Sequence, residues 1–413
     1  MSNRSRLSRR RFLKKLLVVT AGGLAACQSR PTTSVGTPTP ARTIAPARSE
    51  PSPDPTARQP LLYVGAYVED DEPGIYHYRM DPASGALTPV GMVKAGANPS
   101  FLALPPTAPY LYAVNEIATF QEQPGGAVSA FAIDPGDGAL TMLNRQPSHG
   151  VGPCHLTTDR MGRFLLVANY GDGTLSVYPL AAEGRIGAAS QVVHHHGRGA
   201  DRARQAGPHA HYIAVAPDNR FVLTCDLGID KVLVYRFASA DGQLSPHSEA
   251  ALQPGSGPRH LDFHPNGRYV YVINELDATL TVFAYVAETG MLANLQTLST
   301  LPEGYSGPKS SAEVCVHPSG MFVYASNRGH DSIAIYTVDA ATGQLMWVGQ
   351  ESSRGAMPRS FAIDPSGMFL LVANQDSDMV ASFRIDLHTG TLRYLQRIAV
   401  PKPACLKFRA ALE

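Results

Sequence analysis

From about residue 61 onward, short runs of Val, Ile, Leu and aromatic residues alternate with polar breaks, and the whole alternation recurs roughly every 50 residues. One copy shows the plan. A short apolar run at 261–264 leads into the turn Pro265-Asn266-Gly267, then into an aromatic and β-branched run at 269–273. A polar break precedes a third run at 279–283, and a weaker fourth run follows at 295–298. Short β-branched and aromatic runs bounded by Gly, Pro, Asn and Asp read as strands and turns, and nothing here keeps a 3.6-residue period. Four antiparallel strands per unit, repeated about an axis, predict an all-β propeller. Equivalent units begin near Pro99, Pro153, Ala210, Pro258, Ser311 and Pro358. The tail Pro403-Ala404-Cys405-Leu406-Lys407-Phe408 supplies only a first strand, and Leu61-Leu62-Tyr63-Val64-Gly65 supplies a second. Joined, they complete a seventh blade. That predicts a seven-bladed β-propeller over 61–413, closed by pairing of the N- and C-terminal segments, which removes the open sheet edge.

The chain before this repeat has another character. Ser8-Arg9-Arg10-Arg11-Phe12-Leu13-Lys14 matches the twin-arginine export pattern, and an apolar run over 16–26 follows it. That run falls short of the about 20 residues of a spanning helix. It ends in Leu24-Ala25-Ala26-Cys27, which resembles a bacterial lipobox, so Cys27 is the expected lipid-bearing residue. Residues 1–27 therefore read as a twin-arginine lipoprotein signal. Residues 28–60, rich in Pro, Thr, Ser and Ala, read as a disordered tether. The expected location is the outer face of the cytoplasmic membrane or the periplasm and cell envelope. Membrane contact is expected only through the lipid on Cys27.

Composition narrows the chemistry. Lys and Arg number 35 against 34 Asp and Glu, and the basic residues are scattered rather than striped, so nucleic-acid binding is not expected. Cys154, Cys225, Cys315 and Cys405 lie in separate repeats without CxxC spacing and read as small buried residues. No zinc pattern is present. His194-His195-His196 sits in a Gly- and Arg-rich stretch ending near Gly207 and reads as a solvated loop.

The repeat also places residues in space. The first two strands of a blade form a hairpin, so the start of the first and the end of the second share one end of the blade. First strands line the axis, and these positions converge on one mouth of the channel. The strand-one openings are Ser100, Cys154, His211, Arg259, Ala312, Arg359 and Ala404. The strand-two endings are Glu116, Tyr170, Leu227, Glu275, Arg328 and Gln375. The predicted mouth thus gathers His211, Arg259, Glu275, Arg328 and Arg359, with His209, His260, Glu313 and Glu116 nearby. These residues differ from copy to copy while the turn residues recur, as expected of a site built on a scaffold.

Pro208-His209-Ala210-His211, Gly257-Pro258-Arg259-His260, Asn274-Glu275-Leu276 and Asn327-Arg328-Gly329-His330-Asp331 resemble motifs of the seven-bladed lactonase family. That family includes the cycloisomerase-type 6-phosphogluconolactonases and the fungal carboxymuconate cyclases. The resemblance runs over about 61–413 and implies a metal-free, cofactor-free site of one histidine, one glutamate and arginines. Carried over by motif, these are His211, Arg259, Glu275 and Arg328. Arg359 is added from the repeat geometry, and His209, His260, Glu313 and Glu116 are candidate substrate-binding residues. A small lactone is the implied partner. His211 or Glu275 could activate water, and an arginine could hold the oxyanion. Two other readings stay open at this stage: a lactone-forming cyclase, and a non-catalytic surface propeller that binds a protein or glycan.

Overall fold

The computed structural model describes residues 59–106 and 108–410. The expected signal with Cys27, and all but the end of the tether, lie outside the described residues. Seven four-stranded antiparallel sheets make seven blades. Numbered from the unit at Pro99, the first six blades have inner strands Leu102–Ala103, Pro153–Thr158, Ala210–Val215, Pro258–Phe263, Ser311–Val316 and Pro358–Ile363. In the seventh, Pro403–Arg409 is the inner strand and pairs with Leu61–Ala66, which pairs in turn with Pro73–Met80 and then Leu87–Lys94. The termini close the ring as the repeat predicts.

Burial explains why the four runs differ in strength. The second strands Tyr269–Asn274, Phe322–Asn327 and Phe369–Asn374 are buried at every position, because a neighbouring blade covers each face. Such strands read as continuous apolar runs. The outer strand Met291–Ser299 is half exposed, so only its middle stands out in the sequence. The inner strand Pro258–Phe263 starts three residues before the expected run at 261–264, because Pro258, Arg259 and His260 carry no apolar signal.

The core is a set of layers between blades rather than one central mass. Tyr271 and Val282 of the fourth blade pack with Val314, Ala325 and Tyr336 of the fifth, and equivalent layers recur around the ring. Each layer is pinned by polar contacts from one blade to the next. The Tyr271 hydroxyl donates to the Gly343 carbonyl at 3.0 Å, and the Tyr324 hydroxyl donates to that of Gly390 at 2.8 Å. The same device crosses the closure, where the Tyr63 hydroxyl donates to the Gly138 carbonyl at 2.8 Å. Gly85 closes the other side of the seventh blade. Its φ of 74° is left-handed, and a Cβ there would lie 2.6 Å from the Phe369 ring, so only glycine fits without displacement.

Candidate active site

The inner strands do more than line the axis. In six blades the pairing skips a residue near the strand start, passing over Cys154, His211, Arg259, Arg359 and Ala404 singly and over Ala312 with Glu313. A bulge of this kind bends the strand and re-aims the extra side chain. Cys154, His211, Arg259, Ala312, Arg359 and Ala404 form a layer at the mouth. The residues that follow them, His155, Tyr212, His260, Glu313, Ser360 and Cys405, form a second layer, which Phe101 of the first blade joins. Neighbours in that layer touch. Ring centroids lie 4.1 Å apart for Phe101–His155, 3.9 Å for His155–Tyr212 and 4.8 Å for Tyr212–His260. His260 Nδ1 then lies 2.7 Å from Glu313 Oε1, and the Ser360 hydroxyl donates to Glu313 Oε2 at 3.3 Å. Two residues further on, Asp262, Cys315 and Lys407 line a cavity of about 370 Å³ toward the turn end of the axis.

At the mouth, one backbone bond per blade fixes the hairpin ends. The amides of Tyr67, Glu116, Tyr170, Leu227, Glu275, Arg328 and Gln375 donate to the carbonyls of Lys402, Asn98, Gly152, His209, Gly257, Ser310 and Met357, at 2.8–3.1 Å. The second strand of each of the first six blades ends in a buried Asn or Asp just before that amide. This constant frame carries variable side chains. Glu275 is the hub. Its Oε2 accepts from Arg259 Nε at 3.0 Å and from Arg328 Nη2 at 2.8 Å, and its Oε1 accepts from Arg204 Nη2 at 2.6 Å. Arg259, only 1 % exposed, also donates through Nη1 to the Ala312 carbonyl at 2.5 Å. Arg328 Nη2 donates to the Ser311 carbonyl at 3.1 Å, while its buried Nε has no hydrogen-bond partner among the described residues. A second, smaller group sits beside it at the mouth. There Glu116 Oε2 accepts from the Tyr67 hydroxyl at 2.7 Å and from the Ser100 hydroxyl at 2.5 Å, with Arg359 Nη2 at 3.8 Å.

The electrostatics follow from this packing. Burial pushes the Glu275 carboxyl up, but Arg328 and Arg259, helped by His211 and Arg204, outweigh it and hold the group well below the usual carboxylate range. Glu275 is therefore a fixed anion whose two oxygens already hold three guanidinium groups. Burial, and then Arg259 and His260, hold His211 well below the ordinary imidazole value, so it is neutral at pH 7. Its Nδ1 lies 3.8 Å from Cys154 Sγ, and its ring meets Tyr170 edge-on at 5.4 Å and His260 at 5.2 Å. Burial, with Arg328 and Arg359 beside it, brings Arg259 down to about 10, still charged at neutral pH. In the second layer, burial raises the Glu313 carboxyl to about 7, against the pull of Lys407 and Arg259.

The structure thus joins Arg259, Glu275 and Arg328 directly and sets His211 beside them in the mouth layer. Glu116 and Arg359 form the neighbouring group. His260 and Glu313 pair with each other one layer deeper, beneath the arginines. His209 stacks on Tyr170 at 4.5 Å and holds its carbonyl through Nδ1 at 2.7 Å, at the rim. One expectation changes. The stretch with His194-His195-His196 is not simply solvated: His195 is buried, its Nδ1 2.6 Å from Asp226 Oδ2, because Asp226 ties that segment to the third blade. Two site residues escape the sequence reading. Tyr67 is the seventh strand-two ending and was available by the same count as Glu275. Arg204 lies outside the repeat and had no such signal. Among the described residues, no group of three or more His, Cys, Asp or Glu side chains is arranged to hold a metal ion.

Comparison with known proteins agrees with this architecture. The family model described as "Lactonase, 7-bladed beta-propeller" matches residues 61–408. A 6-phosphogluconolactonase of Bacillus subtilis is 35% identical over 347 residues, covering 84% of this chain and 97% of the relative. A 6-phosphogluconolactonase of Formosa agariphila is 36% identical over 311 residues, covering 73% and 86%. Among solved structures, the periplasmic gluconolactonase of Pseudomonas aeruginosa superposes with a TM-score of 0.80 at 34% identity, covering 86% of this chain and 99% of that one.

Proposed function

The chain belongs to the seven-bladed β-propeller lactonase family, and from that premise we propose that it hydrolyses a sugar lactone in the manner of a 6-phosphogluconolactonase. The observation that carries the assignment of roles is the saturation of Glu275. A carboxylate whose oxygens are held by Arg259, Arg328 and Arg204 is a poor proton acceptor. His211, buried and neutral, is the natural base. His211 takes a proton from water as the water oxygen attacks the lactone carbonyl. The negative charge that develops on the carbonyl oxygen is met by the guanidinium groups of Arg328 and Arg259. Collapse breaks the bond from carbonyl carbon to ring oxygen, and the imidazolium returns its proton to the departing ring oxygen. The product is the open hydroxy acid. Glu275 does not enter the proton balance. It holds the arginines together and charged in a site that would otherwise drive them apart.

The twin-arginine pattern favours a substrate met outside the cytoplasm, and the periplasmic gluconolactonase of Pseudomonas aeruginosa supports a second reading, a lactone without phosphate. A hydrolysis screen on the purified protein separates these readings. It compares gluconolactone, its 6-phosphate and a carboxylated lactone, each with and without chelator. Turnover on at least one lactone, unaffected by chelator, is expected. Activity on none of them, or activity abolished by chelator, overturns the mechanism.

A further inference from the structure

Residues 195–209 stand outside the four-strand repeat. They connect the outer strand Gln191–His194 of the second blade to the inner strand Ala210–Val215 of the third. One buried carboxylate clamps both ends of this loop: Asp226 Oδ2 faces His195 Nδ1 at 2.6 Å, and its Oδ1 accepts from the His209 amide at 2.8 Å. The middle is pinned by Gln205, which is fully buried. Its Nε2 donates to the Leu227 carbonyl at 2.8 Å and to Asp230 Oδ1 at 2.7 Å, and its Oε1 accepts from the Asp201 amide at 2.8 Å. Asp201 Oδ1 in turn accepts from the amides of Ala203 and Arg204, at 2.9 and 3.2 Å. A compact loop held this way fixes the side chain that it turns toward Glu275.

That side chain is Arg204, and it differs from the other arginines. It is 44% exposed, against 2% for Arg259, 11% for Arg328 and 18% for Arg359. Arg259 and Arg328 each hold a backbone carbonyl as well as Glu275, whereas Arg204 holds only Glu275 and the Tyr170 hydroxyl, the latter at 3.3 Å. We propose that Arg204 is the specificity-determining residue of this site: it releases Glu275 to grip a phosphate group on the far end of the lactone, and so selects phosphorylated over unphosphorylated substrates. The proposal rests on the lactonase reading above. Charge balance supports it. The ion-paired cluster at the mouth holds four guanidinium groups against the carboxylates of Glu275 and Glu116, a surplus of two within the cluster. A phosphate monoester brings close to two negative charges at neutral pH. The exchange leaves the carboxylate compensated: Glu275 keeps Arg259 and Arg328 on Oε2 when Arg204 moves, and only Oε1 gives up its partner. The planar fork of a guanidinium suits two phosphate oxygens at once.

The test is the ratio of kcat/KM for gluconolactone 6-phosphate to that for gluconolactone, in the wild type, Arg204→Ala and Arg204→Lys. The alanine variant is expected to lower that ratio about tenfold to a hundredfold, the size of a lost hydrogen bond to a charged group. Lysine, a point charge without the fork, is expected to restore part of it. A merely structural role would reduce both rates together and leave the ratio unchanged, and that result overturns the proposal. Calorimetric titration with gluconate and 6-phosphogluconate keeps the question open to measurement even if the wild type hydrolyses neither lactone, which would sink the lactonase reading alone. A wild type that binds both acids equally, or an alanine variant with the wild-type preference, overturns the role of Arg204.

Discussion

The two ends of the inner hairpins are built on opposite principles. At the turn end the same chemistry recurs: His264-Pro265-Asn266-Gly267, His317-Pro318-Ser319-Gly320 and Asp364-Pro365-Ser366-Gly367. The contacts recur with it. His264 Nε2 donates to the Gly320 carbonyl at 3.0 Å, and His317 Nε2 donates to that of Gly367 at 2.8 Å, each tying one blade to the next. At the mouth end only the backbone recurs. The side chains at equivalent positions run Arg259, Ala312, Arg359 on one strand and Glu275, Arg328, Gln375 on the other. The segments added to the repeat also gather there: the hairpin Thr119–Phe120 with Gln123–Pro124, the loop 195–209 and the loop 300–310. A propeller can separate its tasks in this way because each blade already holds its neighbours through buried layers and turn contacts. The mouth is then free to concentrate charge that no repeated position could tolerate seven times over.

The separation is most directly broken at Arg259. Replacing it with alanine removes the donor proposed for the developing oxyanion, and kcat/KM is expected to fall about a hundredfold to a thousandfold. Glu275 keeps Arg328 and Arg204, and the blades keep their layers, so far-ultraviolet circular dichroism is expected to remain that of the folded ring. Turnover at the wild-type level takes Arg259 out of the chemistry. Loss of the fold shows instead that the mouth carries structure as well.

A smaller effect is expected from pH, and it acts on the mouth alone. In the proposed mechanism His211 must be unprotonated to accept a proton from water. Burial, Arg259 and His260 depress it well below 6.5, with Glu275 working against them. The sign follows: kcat/KM stays level as pH falls from 8 through 6.5, then drops about tenfold per unit once pH passes below the depressed value. A pH–rate profile that already falls between 8 and 6.5 identifies a different base.

The same contrast governs what could be read from the chain. Blade count and closure were legible because the turns repeat, with Gly267, Gly320 and Gly367 at one interval, and because Pro403–Arg409 and Leu61–Ala66 are complementary fragments. Counting along the same ruler placed Arg259 opposite Glu275. It did not show the bulge between Pro258 and His260, since a skipped residue leaves no mark in an apolar pattern. That bulge sets His260 one layer beneath the mouth, where it meets Glu313 of the next blade. Arg204 was out of reach for a different reason. A loop outside the repeat has no equivalent in other blades, and its placement depends on Gln205, Asp226 and Asp230, contacts that no local pattern announces.

The finest test removes one hydroxyl from each end. Tyr271 is fully buried between blades and donates to the Gly343 carbonyl at 3.0 Å, while Tyr67 donates to Glu116 at the mouth at 2.7 Å. In Tyr271→Phe the carbonyl of Gly343 is left without this donor, and about 1 kcal/mol of stability is expected to be lost, with kcat/KM per folded molecule unchanged. In Tyr67→Phe the Glu116 carboxylate keeps Ser100 and Arg359, so the fold loses little. Its hold on Arg359 loosens, because the tyrosine whose ring lies 5.1 Å from that guanidinium no longer anchors the carboxylate. A drop of about fivefold in kcat/KM is expected there, the kinetic equivalent of about 1 kcal/mol, because Ser100 and Arg359 still hold the carboxylate. Denaturant midpoints and steady-state rates on the two variants settle the matter together. If Tyr271→Phe slows turnover while Tyr67→Phe lowers the midpoint, the ends do not divide stability from chemistry. The layers between blades would then have to be counted as part of the site.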